Sequence, residues 1–431
     1  MVVFLVIIFF LFLCLGMPIG FVLGVVAVLS LILISPESPK LLLPIAPRAF
    51  YEGINTFTLM AMPFFTLAGN IMNEIGITQR IINFCNILVG WVKGGLAHVT
   101  IVSSMIFAGL TGSAVADLAA LGTILIPAME KEGFSKRFAA AVTVSASIIG
   151  PIIPPSTIMV IYGALMGVSI AGMFAAGILP GILMGSVLMI LSRFISIKRD
   201  YPTHKMDFSI SNLLKAGKDV IVALLMPLII LGGILSGIFT PTESAAIGVL
   251  YALVVGFFYF KTLSLQKLWI MIKNTAILNG VILFIIATSF ILGWVLAREN
   301  VSEVIANLIL NITGNRYLIL FLINVVFLIA GMFMETAPAL LILAPILAPL
   351  AIKAGVHPLH IGIIMTVNLN IGLMTPPVGA CLFVACSISK LSLWELTKEI
   401  WPFFIAQCIT LSIITYVPTL VLFVPRLLGF A

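Results

Sequence analysis

GLTGSAVADLAALGTILIPAMEKEGFSKRFAAAVTVSASIIGPIIPPST, residues 109–157, decides how the chain is read. It sets small residues, hydroxyls and prolines inside a sequence that is otherwise solidly apolar. Shifted forward by 222 positions, Gly109 falls on Gly331, Pro127 on Pro349, Gly133 on Gly355, Gly150 on Gly372, and Pro154-Pro155 on Pro376-Pro377. Ordered matches of this kind mark an internal repeat. Irregular backbone is tolerated at membrane depth only where protein or a water-filled cavity satisfies its polar groups. Two matched interruptions therefore predict one polar site built from both halves.

The surrounding composition supplies the membrane. Of 431 residues, 62% are hydrophobic and 9% charged, with a mean hydropathy of +1.28. These values exclude a soluble enzyme and predict an all-α polytopic membrane protein. The net charge of +7 does not point to nucleic acid, because the basic residues sit in short loops between apolar runs, as the positive-inside bias requires. Five scattered cysteines have no ligand-like spacing and read as free thiols. His357 and His360 flank Pro358 and read as a helix start rather than a metal site.

Taken in order, residues 2–34 read as a membrane helix kinked at Pro18 and residues 41–54 as an interfacial segment. The first repeat spans 1–205, with a hairpin at 94–130 (tip 111–116) and a broken helix at 138–166. A basic, cytoplasmic linker follows at 206–218. The second repeat spans 219–431, with a hairpin at 316–353 (tip 334–338) and a broken helix at 359–388. Residues 261–273 read as an interfacial arm, 276–297 as a span ending at Arg298, and 394–424 as a closing helix.

A broken helix offers carbonyls to a cation and amides to an anion, because about half a unit charge resides at each end. Thr111 and Ser113 add oxygens at the first tip, Glu335 and Thr336 at the second, and 150–154 and 372–376 would supply facing carbonyls. Oxygen ligands suit sodium. Proton coupling is the alternative and would use Asp117 or Glu335, the acids at the tips; Asp117 could equally cap the second arm of its hairpin. Arg298 is either a partner for an anionic group of the cargo or a side chain reaching the interface beside Glu299 and Glu303. Ser113, Thr336, Asp117 and Arg298 are thus the candidate cargo contacts. No GxxxxGK[ST] loop is present, so uphill work requires an ion gradient. An intramembrane enzyme lacks support, since Ser113 has no nearby His or Lys to activate it.

GMPIGFVLG near the start, GLTGSAVADLAALG, GPIIPPST, ETAPALLILAPILAPLA and GLMTPPVGACLFVA together resemble the large membrane subunit (DctM-like) of tripartite ATP-independent periplasmic (TRAP) transporters, over nearly the whole chain. The resemblance implies a bacterial inner-membrane transporter, related in fold to the ion-transporter superfamily, with two inverted-topology repeats. It implies uptake of organic acids, either sialic acid or C4-dicarboxylate, with two or more sodium ions. A hairpin domain would carry cargo past a fixed scaffold as an elevator. Implied partners are a separate small membrane subunit and a soluble periplasmic binding protein. By position, one sodium site would use Gly112, Ser113, Gly150 and Pro154, and the other Glu335, Thr336, Gly372 and Thr375. The resemblance makes Arg298 the partner of the cargo carboxylate.

Overall fold

The computed structural model describes residues 7–9, 11–13, 15–34, 42–203, 210–300 and 315–431, with backbone alone at 210–216, 218 and 219. Every regular element among the described residues is helical. The first half contains α1 (Ile19–Ile34), α2 (Ile45–Ile54), α3 (Ala61–Glu74), α4 (Ile77–Val89), α5 (Gly95–Thr111), α6 (Ala114–Lys131), α7 (Lys136–Ser147), α8 (Thr157–Met166) and α9 (Ile170–Lys198). The second contains α10 (Ile210–Leu235), α11 (Pro241–Val254), α12 (Leu265–Arg298), α13 (Arg316–Phe333), α14 (Thr336–Lys353), α15 (Pro358–Gly372), α16 (Ala380–Ser389), α17 (Leu393–Tyr416) and α18 (Pro418–Leu427). Six helices are long and apolar enough to cross a membrane.

The 222-residue register holds in the helices. Each of α13 to α17 begins within one residue of the position that the shift assigns from α5 to α9. Packing follows the same rule. The hairpin α5–α6 packs on α7 and the hairpin α13–α14 on α15, while α6 meets α16 and α8 meets α14 across the halves.

At the centre lie α7 and α15, whose residues from Phe138 to Ser147 and from Leu359 to Gly372 are all buried. Both carry polar side chains in that core. Thr143 donates to the Ala139 carbonyl at 2.7 Å, Ser145 to Ala141 at 2.8 Å, Thr366 to Gly362 at 2.8 Å and the Asn370 amide to Thr366 at 2.7 Å. Returning each donor to the carbonyl one turn earlier lets a helix bury hydroxyls and amides without a solvent partner. A second group forms around α12, which packs on α1, α2 and α3, while α3 also packs on α11.

Several sequence expectations are corrected. The arm at 261–273 and the span at 276–297 are one 34-residue helix, about 51 Å long at 1.5 Å per residue. No Gly or Pro falls between Leu265 and Asn279 to stop it, and Lys267 is held by Glu74 at 2.7 Å. The corresponding stretch of the first half is interrupted: α2 ends at Asn55, and a 3₁₀ turn, Phe57–Met60, precedes α3. Pro18 does not kink a helix; Gly16 takes φ +80° and α1 begins after the proline. The linker read at 206–218 is partly helical, since α10 begins at Ile210, and residues 204–209 lie outside the described residues. The closing helix is two, parted at Val417 with Pro418 opening the second.

His357 caps α15 through its Nδ1, which accepts the Leu359 N–H at 3.2 Å, and the His360 Nε2 meets the Ile414 carbonyl at 2.8 Å. Among the described residues the cysteines are free thiols, with Cys85 and Cys381 buried; Cys14 lies outside them.

Candidate functional site: a cavity between two hairpin tips

The first tip is only two residues wide. The helix α5 runs to Thr111, Gly112 turns left-handed at φ +61°, and an extended Ser113 caps α6 by accepting the Ala116 N–H at 3.4 Å. Gly112 is required by more than its dihedral: a Cβ there would stand 3.1 Å from the Pro155 carbonyl oxygen. Asp117, in the first turn of α6, is fully buried. One carboxylate oxygen accepts from the Thr111 hydroxyl, closing the tip across both arms. The other has no hydrogen-bond partner and lies where a Cβ on Gly150 would collide with it. Ser113, not Asp117, is the helix cap.

The second tip has the same outline and different chemistry. The helix α13 ends at Phe333, Met334 and Glu335 are extended, and α14 starts at Thr336. Glu335 holds the cap position, makes no cap bond and is exposed. Behind it the backbones of Gly331 and Gly372 touch, so closely that a Cβ on Gly372 would stand 2.5 Å from Gly331. The Gly379 N–H donates to the Met332 carbonyl at 3.1 Å, tying the second break to this hairpin.

Each hairpin faces a break. Between α7 and α8 the chain is non-helical near Pro151 to Ser156; Ser156 donates to the Pro151 carbonyl at 2.5 Å and caps α8 by accepting the Met159 N–H at 3.4 Å. Between α15 and α16, Thr375 is buried and donates to the Ile371 carbonyl at 2.8 Å. The Pro154-Pro155 and Pro376-Pro377 peptides are both cis.

Both tips open on one cavity of about 390 Å³, lined by Gly112, Ser113, Glu335 and Thr336 together with Pro151, Thr157 and Leu373 from the breaks. The N-termini of α6, α8 and α14 all reach it, through Ala114, Thr157 and Thr336. Three helix N-termini aimed at one space make it electropositive without a single cationic side chain.

The expected site residues therefore divide. Gly112, Ser113, Glu335 and Thr336 line the cavity. Asp117 and Gly150 lie together beneath the first tip, the Pro154 carbonyl faces Gly109, and Gly372 and Thr375 stand behind the second tip. Arg298 is not in the lining. It ends α12, is exposed, and places its guanidinium 5.4 Å from the Trp294 ring centroid. The opposite wall carries residues the sequence reading passed over, Thr66 and Asn70 on α3 and Asn279 on α12. Their signal was available as asparagines standing alone in strongly apolar segments, where an amide needs a partner or a polar cavity.

A bundle of membrane-length helices around a polar cavity formed by two hairpin tips defines a multi-pass membrane protein with an anion-receiving centre. Comparison with known proteins makes the class specific. Residues 6–420 match the family described as the tripartite ATP-independent periplasmic transporter, DctM component, and the chain belongs to that family. It is 39% identical over 412 residues to the sialic acid TRAP transporter large permease protein SiaM of Vibrio cholerae, covering 96% of this chain and 95% of SiaM. It is 36% identical over 407 residues to the C4-dicarboxylate TRAP transporter large permease protein DctM of Pseudomonas aeruginosa, covering 94% of each. The fold is similar to that of the YdaH transporter of Alcanivorax borkumensis, at a TM-score of 0.58 with 14% identity over 87% of each chain. The chain is thus the large permease component of a TRAP transporter, a multi-pass inner-membrane protein and not an enzyme, working with a small membrane subunit and a periplasmic binding protein.

Proposed function

We propose that this permease takes up organic acid anions with sodium, the cargo seated between the two hairpin tips, and that the hairpins and broken helices move as an elevator past the group built around α12. The observation that carries the reading is the convergence of the α6, α8 and α14 N-termini on one cavity, which favours a carboxylate by helix-end charge and free amides. SiaM and DctM are named for sialic acid and C4-dicarboxylate, and both are organic acids of the kind such a site would take.

Sodium is supported by Asp117. A buried carboxylate with one oxygen unpartnered beside the first break is costly unless a cation neutralises it, and its surroundings at Thr111, Ser113 and Gly150 offer oxygen atoms rather than nitrogen or sulfur. Gly112, Ser113, Gly150 and Pro154 are the proposed first site. Glu335, Thr336, Gly372 and Thr375 are the proposed second, with two or more ions in all. An inverted pair of repeats is supported by the exchange of partners in which α6 meets α16 and α8 meets α14. The exposed position of Arg298 assigns the carboxylate to the helix ends in this conformation.

The test is uptake into proteoliposomes holding both membrane subunits, with the binding protein outside and a sodium or proton gradient imposed separately. Accumulation driven by sodium at equal pH supports the reading. Accumulation that follows the proton gradient and ignores sodium would make Asp117 a proton carrier, and accumulation under neither gradient would remove ion coupling altogether.

A further inference from the structure

The wall opposite the tips has a chemistry of its own. Asn279 lies on the cavity surface yet is 3% exposed. Its side-chain N–H donates to the Thr275 carbonyl at 2.9 Å, which fixes the amide: only the nitrogen can make that bond, so the oxygen is the free end. That oxygen has no hydrogen-bond partner. Thr275, 4% exposed, is held in turn by the Asn70 side chain, which donates to its hydroxyl at 3.1 Å and joins α3 to α12. The wall is therefore a braced set of neutral polar groups presenting a buried acceptor. A buried acceptor left without a donor is unfavourable by more than an average hydrogen bond contributes.

Charge sharpens the point. Among the residues lining the cavity the one charged side chain is Glu335, an acid. The helix N-termini can serve a carboxylate at the tips, but a second carboxylate reaching the far wall would meet the Asn279 oxygen and no cation. A hydroxyl or an amide N–H would satisfy that oxygen. The cavity also has room for about a dozen waters, taking about 30 Å³ each, which is more than a small diacid fills.

We propose that Asn279, positioned by Thr275 and Asn70, is a specificity-determining contact that accepts a hydrogen bond from a hydroxyl or amide N–H of the cargo, so that the permease prefers hydroxylated monocarboxylates to plain dicarboxylates. This rests on the organic-anion reading above and narrows it.

The experiment is isothermal titration of the purified complex of large and small membrane subunits, in sodium and without the binding protein, using N-acetylneuraminate, malate and succinate as probes. Malate differs from succinate by one hydroxyl. N-acetylneuraminate should bind at least about tenfold more tightly than succinate, with malate between them. Asn279→Leu should bring all three within about twofold of one another by weakening the hydroxylated probes. Asn279→Ser, which restores a small acceptor, should recover part of the preference and serves if the leucine variant does not fold. Succinate binding as tightly as N-acetylneuraminate in the unaltered protein overturns the proposal and leaves the anion reading standing. So does a preference untouched by both variants, which would mean that only water sits on the Asn279 oxygen. Binding of none of the three overturns both.

Discussion

The two hairpin tips share a skeleton and differ in where the acid stands. In the first, Asp117 is buried under the tip, bonded to Thr111 and pressed against Gly150; the residue 222 positions on is Ala339. In the second, Glu335 stands at the tip itself, exposed and without a cap bond, where the first tip has Ser113. The difference teaches that duplication preserved the backbone break while each copy took its own electrostatic role. A buried carboxylate must be neutralised by something, whereas an exposed one is solvated and can respond to cargo or to movement.

The largest expected effect follows directly. Asp117→Asn should lower sodium-driven uptake by about a hundredfold, the scale of removing one partner from a buried charge pair, with the protein still present in the membrane. Glu335→Gln should change it by no more than about fivefold, as for an exposed charge. Equal losses in initial-rate assays would erase the distinction between the tips.

Next comes the backbone contact behind the tips. Gly372→Ala drives a Cβ to 2.5 Å from the Gly331 backbone and should cost about 1–3 kcal/mol, the range for overpacking. At Gly109, the repeat counterpart of Gly331, a Cβ would meet the Pro227 side chain at 3.2 Å, and alanine there should be tolerated better. Thermal melts of the two variants in one detergent compare them, and a lower melt for the Gly109 variant would reverse the ranking.

A smaller effect separates the caps. Ser113→Ala removes the hydroxyl that caps α6 and should cost about 1 kcal/mol while raising the sodium concentration for half-maximal uptake. Thr336→Ala removes no cap bond and should stay within about 0.5 kcal/mol in the melt. An unchanged sodium dependence in the serine variant would detach Ser113 from the ion.

The smallest effect lies outside the membrane. Lys93, just before the first hairpin, pairs with Asp200 at 2.5 Å, and the lysine holds that carboxyl below its usual range by hydrogen bonding and charge. The corresponding residues of the second half, Asn315 and Leu422, are uncharged. Because the folded-state value is depressed, the pair stabilises above the carboxylate's ordinary range and that contribution disappears as pH falls through the folded value. Asp200→Asn should therefore lower the melting temperature slightly at pH 7 and leave it unchanged at pH 3. A difference that persists at pH 3 would assign the effect to packing.

Much of this could be read before any coordinates. The hairpins, both breaks and their register follow from Gly, Pro, Ser and Thr interrupting apolar runs, because such residues disrupt helix pairing wherever they fall. Boundaries were less legible. The sequence reading put the first tip at 111–116, yet α6 begins at Ala114, since Ser113 supplies a cap that composition alone does not reveal. The long helix α12 was divided in the reading because its lysines resemble an interfacial arm; no residue in that stretch breaks a helix, and Glu74 on α3 neutralises Lys267.

From the sequence alone came the membrane class, the doubling of the plan and the residues at both tips, since hydropathy and helix-breaking are properties of residues in a row. Which polar side chains meet was decided in three dimensions. Asn70 reaches Thr275 across 205 residues, Asn279 turns to the cavity, and Arg298, the residue that sequence reasoning singled out, ends exposed beside Trp294. The physical reason is that burial and facing belong to the packing of α3 on α12 and of each hairpin on its broken helix, contacts between segments that no local pattern relates.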